Sequence, residues 1–190
     1  MRFEKGHKES TRRRIVEVAA RRFRHDGAAA SGLAGIMTEA GLTNGAFYAH
    51  FDSKEALVKE AMVSALTHQR EILEKALNDQ VGLESIIRSY LNVDHMLRRE
   101  TGCPSAALLP ELARQPEPTR EAYEVELRKY TDSLASGLPS SSSSLARNKA
   151  RAIFALMVGT LQIARAVSDP SQAAALLEGG VQAALTLAKS

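Results

Sequence analysis

The sequence predicts an all-α protein of about nine helices, a small N-terminal three-helix unit followed by a larger helical remainder. Three observations predict it. The apolar content, 44% of 190 residues, is dominated by Ala and Leu with few β-branched runs, a balance that favours helix over strand. Apolar residues recur at helical spacing along most of the chain. Gly, Pro and Ser interruptions fall between those periodic segments.

Residues 10–26 place Ile15, Val16, Ala19, Ala20 and Phe23 at helical spacing, with Arg12, Arg13, Arg21 and Arg22 mostly on other faces. Gly27 ends this helix. A second, short helix begins near Ser31, a good N-cap, and brings Leu33, Ile36, Met37 and Ala40 to one side before Gly41 stops it. Gly32 and Gly35 fall inside it, where Gly costs up to about 1 kcal/mol relative to Ala.

The next stretch, GLTNGAFYAHFDSKEAL, can be read in two ways. Asn44-Gly45, followed by alternating Phe47, Ala49 and Phe51, is a hairpin signal. Alternatively, Thr43 caps a third helix that runs to about Phe51. A hairpin would have no partner strand of comparable quality, and both flanking segments carry their own helix starts and stops, so the helical reading prevails. Asp52 and Glu55 then have the spacing of a capping box. They open a long fourth helix carrying Leu57, Ala61, Leu66 and Leu73 to roughly residue 79. Five further helical segments are expected at about 82–99, 104–114, 117–137, 145–168 and 171–188. Gly102-Cys103-Pro104, residues 115–118 and the serine run 140–144 separate them, the last read as a loop.

Net charge is only +3, but it is unevenly distributed. Residues 1–24 hold nine Lys/Arg against three Glu, whereas residues 61–190 balance at fourteen of each sign. A phosphate-facing segment has this asymmetry, and so does a solvated basic arm without a partner. One cysteine excludes an intramolecular disulfide and suggests a reducing compartment. The N-terminus MRFEKGHKESTRRR has no apolar core of a signal peptide, and the longest apolar run is about half the roughly 20 residues a spanning helix needs. A cytoplasmic protein is expected. The five His (7, 25, 50, 68, 95) have no ligand spacing. Phosphate-cradling glycine loops, nucleophile elbows and paired acids are not recognisable. The expectation is therefore no enzyme, no cofactor and no metal.

Ile15-Val16-x-x-Ala19-Ala20-x-x-Phe23, Gly27, Ile36, Ala40-Gly41-Leu42, Thr43-x-Gly45-x-x-Tyr48-x-His50-Phe51 and Ser53-Lys54-Glu55-x-Leu57 follow one another in order. This succession resembles the tetracycline-repressor-like (TetR) family of transcriptional regulators over about the first 60 residues; the rest of the chain is similar only in helix count and layout. The resemblance implies a helix-turn-helix DNA-binding domain, residues 1–56, and a helical effector-binding and dimerisation domain, residues 57–190.

The residue types suit that role independently. A recognition helix is short and brings its first residues to base edges in the major groove. Thr43 and Asn44 are small polar groups at the helix start, and Gly45 lets the backbone approach DNA closely. Tyr48 and His50 can donate to phosphate oxygens. Ser31 and Lys54, at the starts of the second and fourth helices, offer further phosphate contacts. Other readings stand beside these: Tyr48 as a half-buried core aromatic, His50 as a surface imidazole or cap.

In the C-terminal half, residues 145–168 are apolar over more than one face, which calls for more than one neighbour. Ala173, Leu176, Leu177, Val181, Ala184, Leu185 and Ala188 form a stripe, and Gly159, Gly179 and Gly180 permit close approach. The resemblance implies a homodimer through the last two helices; a monomeric core is the alternative. Such a dimer suits a palindromic operator in double-stranded DNA, with half-sites about one helical turn apart. Leu66, Tyr90, Met96, Leu112, Tyr123, Leu127, Tyr130 and Met157 are candidates to line a pocket for a small-molecule effector, although the same residues can be plain core. Cys103 follows Arg98 and Arg99 and precedes a Pro-started helix, a setting that favours a reactive thiolate. A redox or electrophile sensor and an inert small residue are both open. The reading is a ligand-responsive DNA-binding regulator, a repressor; a helical adaptor or ligand-binding protein without DNA binding is the competing class.

Overall fold

The computed structural model describes residues 2–139 and 143–189. Helix α1 spans Arg2–Asp26, well before the periodic segment that predicted it. Its N-terminal half is rich in Glu, Lys and Arg, good helix formers that need no apolar contact to propagate a helix begun at Ile15–Phe23. Gly27, at φ +87°, ends it, with its N–H bonded to the Phe23 carbonyl at 2.9 Å. This left-handed conformation suits glycine.

Helix α2 is Leu33–Glu39, and its N-cap is Gly32 rather than Ser31. The Ser31 hydroxyl instead donates to the Gly27 carbonyl at 2.8 Å, closing the α1–α2 turn. Gly32 therefore lies outside the helix interior. Gly35 has a packing reason: a Cβ there would collide with the Arg22 guanidinium, which is bonded to Glu39. Gly41, at φ +70°, stops α2, and Leu42 N–H reaches back to the Met37 carbonyl at 2.8 Å.

The third helix is a 3-10 helix, Asn44–Ala49, not an α-helix. Its six residues make two turns at about three residues per turn. Helix α3 is Lys54–Asn78, and Ser53 rather than Asp52 caps it, its Oγ accepting from Ala56 N–H at 3.1 Å.

The expected helix over 82–99 is broken. Helix α4, Leu83–Tyr90, and α5, Val93–Leu97, are separate because Asn92 caps the second through the His95 N–H at 2.8 Å. A 3-10 turn, Arg99–Thr101, follows. The chain continues with α6, Pro104–Leu112, α7, Glu117–Ser136, α8, Ser143–Ala166, and α9, Pro170–Lys189. The expected serine loop lies partly outside the described residues, and Ser143 opens α8. The described residues contain nine α-helices and no strand, and no helix among them is long and apolar enough to cross a membrane.

Two apolar clusters organise these helices. One joins α1, α2, the Asn44–Ala49 turn and α3 from Leu57 to Leu66, completed by Leu108 and Leu112 of α6. The other joins α4, α7, α8 and α9 with Leu73 of α3 and Ala106 of α6. Helices α3 and α6 contribute to both, so they are the mechanical links between the two halves.

Candidate nucleic-acid interface and effector cavities

Phe47 anchors the short third helix. It is buried and stacks on Phe51 with ring centroids 5.6 Å apart. Burying these rings holds the opposite side of the turn in solvent. Tyr48 packs edge-on against Phe47 at 5.2 Å yet is 71% exposed, so it is no core aromatic. Thr43, Asn44 and Gly45 are exposed beside it. A Cβ on Gly45 would meet nothing within 4 Å, and its φ is not in the left-handed region. Nothing inside the chain requires glycine there.

The other three candidates differ. Ser31 is 2% exposed and its hydroxyl is committed to Gly27. Lys54 is half-buried, with Nζ 3.4 Å from the Ala29 carbonyl. His50 is half-buried, and its Nδ1 is buried without a hydrogen-bond partner. Burial, then the nearby Lys8 and Arg12 charges, pushes its pKa below the ordinary value.

Arg12 is the residue the sequence reading missed. It donates to the His50 carbonyl and to both Glu60 carboxylate oxygens, with Nε to Oε1 at 3.0 Å. Its guanidinium also lies 4.1 Å from the Phe51 ring centroid. One side chain thus ties α1 to the end of the Asn44–Ala49 turn and to α3. Its partners lie 38 and 48 residues away, beyond any local signal. Glu39 plays the matching part at α2, accepting from Arg21 at 2.9 Å and Arg22 at 2.6 Å. Those two bonds lower its pKa, Arg22 first. Lys8, Arg13 and Arg14 remain exposed along α1.

Two of the cavities in the second half include pocket candidates. The larger, about 610 Å³, lies among α6, α7 and α8; Leu127, Phe154 and Val158 form apolar wall, and Tyr123, Arg128 and Arg151 supply polar groups. The Tyr123 hydroxyl is 3.1 Å from Ser105 Oγ. The smaller, about 210 Å³, is bounded by α3, α4, α7 and the 95–103 segment, and contains Tyr90, Tyr130, His95 and Cys103. The eight pocket candidates therefore divide. Tyr123 and Leu127 line the first cavity, Tyr90 and Tyr130 the second, and Leu66, Met96, Leu112 and Met157 line neither. Leu66 and Leu112 belong to the N-terminal apolar cluster, and Met157 is fully buried in the other.

Around the smaller cavity the polar accounting is unusual. His95 is fully used: Nδ1 lies 2.6 Å from the Tyr90 carbonyl, and Nε2 accepts the Cys103 N–H at 2.9 Å. This requires the neutral imidazole with its proton on Nδ1. Burial lowers the His95 pKa, the bond to the Tyr90 carbonyl opposes this, and Arg165 lowers it further. The Tyr90 hydroxyl lies beside the Cys103 thiol, and Gln69 Oε1 is buried with no partner. Leaving such a group unpaired costs about 1–3 kcal/mol. Burial first, then Cys103, raises the Tyr90 pKa well above the ordinary tyrosine value. Cys103 itself is 2% exposed. The two cations expected to serve it point elsewhere: Arg98 pairs with Asp94 at 2.8 Å, and Arg99 donates to the Arg165 carbonyl at 3.3 Å.

Three contacts join this region to the N-terminal unit. Glu111 of α6 accepts the Ala29 N–H at 3.0 Å, and it sits where a Cβ on Gly27 would be. Arg24 of α1 donates to the Glu100 carbonyl at 2.7 Å. Arg165 of α8 holds the same 95–101 strap from the other side, through the His95 and Met96 carbonyls at 3.0 and 3.1 Å.

An exposed, short third helix braced by arginines on a tri-helical unit, joined to a cavity-bearing helical body, is the layout of a helix-turn-helix unit on a larger helical domain. Residues 15–61 match the bacterial regulatory proteins of the tetR family. It is 33% identical over 92 residues to the HTH-type transcriptional repressor KstR2 of Rhodococcus jostii, covering 46% of this chain and 45% of the relative. It is 36% identical over 78 residues to the probable HTH-type transcriptional regulator ArpR of Pseudomonas putida, covering 41% and 37%. These matches span less than half the length of the curated relatives. The fold is similar over nearly the whole chain to the reduced form of E. coli NemR, with TM-score 0.76, 20% identity, and coverage of 92% of this chain and 95% of that one. A TetR-family regulator from Agrobacterium tumefaciens gives TM-score 0.74 at 20% identity, covering 92% and 97%. At that identity the likeness concerns the fold.

Proposed function

We propose that the protein is a homodimeric, effector-responsive DNA-binding regulator that represses transcription. The observation that carries this reading is the exposed cluster Thr43, Asn44, Gly45 and Tyr48 on a turn whose other side is locked into the core by Phe47 and Phe51. Residues 1–56 bind DNA, and residues 57–190 bind the effector and the second subunit. Thr43 and Asn44 meet base edges, Gly45 admits the sugar-phosphate backbone, and Tyr48 and the α1 cations hold phosphates. His50 and Lys54 lie at the margin of this surface. Ser31 acts through the α1–α2 turn rather than by contact. Repression, as opposed to activation, is favoured by the repressor name of one relative.

Dimerisation uses α8 and α9. Ile163 and Leu176 are 56% and 37% exposed on these helices, and a shallow groove between them contains both together with Gly179. Burying this face on a second copy gives a two-fold pair of recognition helices. The effector enters the larger cavity, whose apolar wall and few polar groups suit a small organic molecule. Occupancy shifts α6, and Glu111 passes that shift to the turn at Ala29. By linkage the effector binds the free dimer more tightly than the DNA-bound one. A redox trigger at Cys103 is a second reading, supported by the position of that residue in the smaller cavity. Mass spectrometry after mild peroxide treatment tests it: an unmodified Cys103 under conditions that release DNA removes it.

Affinity for the duplex upstream of the protein's own coding region, measured at two salt concentrations for wild type and Tyr48→Ala, tests the main reading. The expected result is tight binding that falls steeply with salt and weakens at least tenfold in the variant. An adaptor without DNA binding gives no salt-sensitive affinity to lose.

A further inference from the structure

We infer that the cleft between the end of α1, the Arg99–Thr101 turn, α6 and α8 binds a phosphate-class anion, free or carried on a small molecule. The cleft measures about 530 Å³, and Arg24, Arg99 and Arg165 line it. Arg24 also lines the smaller cavity and stands between the two spaces. Other arginines of this chain find carboxylates, as Arg12 finds Glu60, Arg22 Glu39 and Arg88 Glu178. Among the described residues these three find none. They donate to backbone carbonyls instead: Arg24 Nε to Glu100 at 2.7 Å, Arg99 Nη2 to Arg165 at 3.3 Å, and Arg165 Nε and Nη2 to Met96 and His95 at 3.1 and 3.0 Å. Those bonds gather three cations around one strap and leave most of the five N–H donors of each guanidinium unused within the protein. Arg24 and Arg165 are half-buried. Burial is the largest influence lowering the pKa of each, and the Arg99 charge lowers that of Arg165 further. Like charges held together with partial loss of water carry a cost that a bound anion relieves.

Charge, donor geometry and space select the ligand. A guanidinium presents paired N–H donors that match two oxygens of one anion. Three such groups around one cleft favour a multiply charged phosphate over a single carboxylate. Two carboxylates also line the cleft, and both are engaged beside the α1–α2 turn: Asp26 lies 2.6 Å from His25 Nδ1, and Glu111 accepts the Ala29 N–H at 3.0 Å. They disfavour an anion on that side and leave the strap side to it. Ala106, Ala107 and Ala166 complete the wall with short side chains, which leaves room beside the phosphate for an organic part. Operator DNA is not the source of this phosphate. Arg24 lies about 18 Å along α1 from Arg12, and Arg12 braces the turn proposed to meet DNA.

Titration calorimetry of the full-length protein with pyrophosphate, adenosine diphosphate and acetate, at fixed ionic strength, tests the site without reference to DNA or to an effector. Pyrophosphate is expected to bind saturably, with acetate at least tenfold weaker. Tighter binding of adenosine diphosphate assigns the site to a phosphate ester, and tighter binding of pyrophosphate assigns it to the free anion. Arg99→Gln changes an exposed residue that gives up one backbone bond, so the variant should fold as wild type does. It should bind pyrophosphate at least tenfold more weakly, and so should Arg24→Gln. Arg147→Gln makes the same charge change at an exposed position of α8 and should leave the affinity unaltered. Bound pyrophosphate should also slow amide exchange over residues 99–102. No saturable binding of pyrophosphate or adenosine diphosphate, equal binding of acetate, an equal loss in Arg147→Gln, or undiminished binding in Arg99→Gln overturns the assignment. Slowed exchange confined to other segments overturns it as well.

Discussion

Gly45 separates internal from external requirements. Space is open where its Cβ would be, so Gly45→Ala should leave the unfolding midpoint unchanged or raise it, as Ala is favoured over Gly in helices by up to about 1 kcal/mol. DNA affinity should nevertheless fall at least tenfold; an unchanged affinity would mean that no backbone approaches there. His95 carries a second residue-scale prediction. Its depressed pKa means that the folded state holds it neutral, as does that of His50. The unfolded chain then binds more protons below its own pKa, near 6.5. Stability should be full above that pH and decline as pH falls through the folded-state values. The lowered pKa values of Glu39, Glu74 and Glu178 keep those carboxylates out of this window. Urea midpoints at pH 7.5 and 5.5 check this: a drop at pH 5.5, shallower in His95→Gln, is expected, and equal midpoints contradict it. The exposure of Thr43, Asn44 and Gly45 was legible because small polar residues and glycine at a helix start have no apolar face to bury. The pocket residues were not, since helical spacing marks Leu66 and Met157 as inward-facing without distinguishing core from cavity wall. Arg12 was illegible for another reason: only the fold brings Glu60 and the His50 carbonyl to it.

Most element positions follow from caps, and the departures follow from competing caps. Ser53 outcompetes Asp52 because its hydroxyl reaches Ala56 N–H. Asn92 starts a new helix where apolar spacing runs on without a break. Spacing fixes which residues face inward, but it is blind to a side chain that satisfies a backbone N–H and so restarts the helix. The functional weight falls on α6, because α6 belongs to both apolar clusters and its Glu111 holds the Ala29 N–H. Glu111→Leu should loosen that turn. Amide hydrogen exchange over residues 27–31 is expected to quicken about tenfold, equivalent to about 1.4 kcal/mol of local stability, with the α8 core unaffected. Unaltered exchange there would show that α6 does not brace the turn.

At the scale of the whole molecule, two braces meet the N-terminal unit: α6 through Glu111, and the 95–101 strap through Arg24. Arg165 fixes that strap to α8, the helix proposed to face the second subunit. The proposed effector cavity among α6, α7 and α8 therefore touches one brace directly and the anchor of the other. In the proposed dimer this geometry would make the spacing of the two third helices sensitive to what fills the body. Selection of bound sequences from a pool of random duplexes by the full-length protein tests that account most directly. The expected outcome is an enriched inverted repeat, its half-sites one helical turn or a whole multiple apart, lost in Tyr48→Ala. Recovery of no sequence above the starting pool, or of a lone half-site bound by one chain, would contradict it.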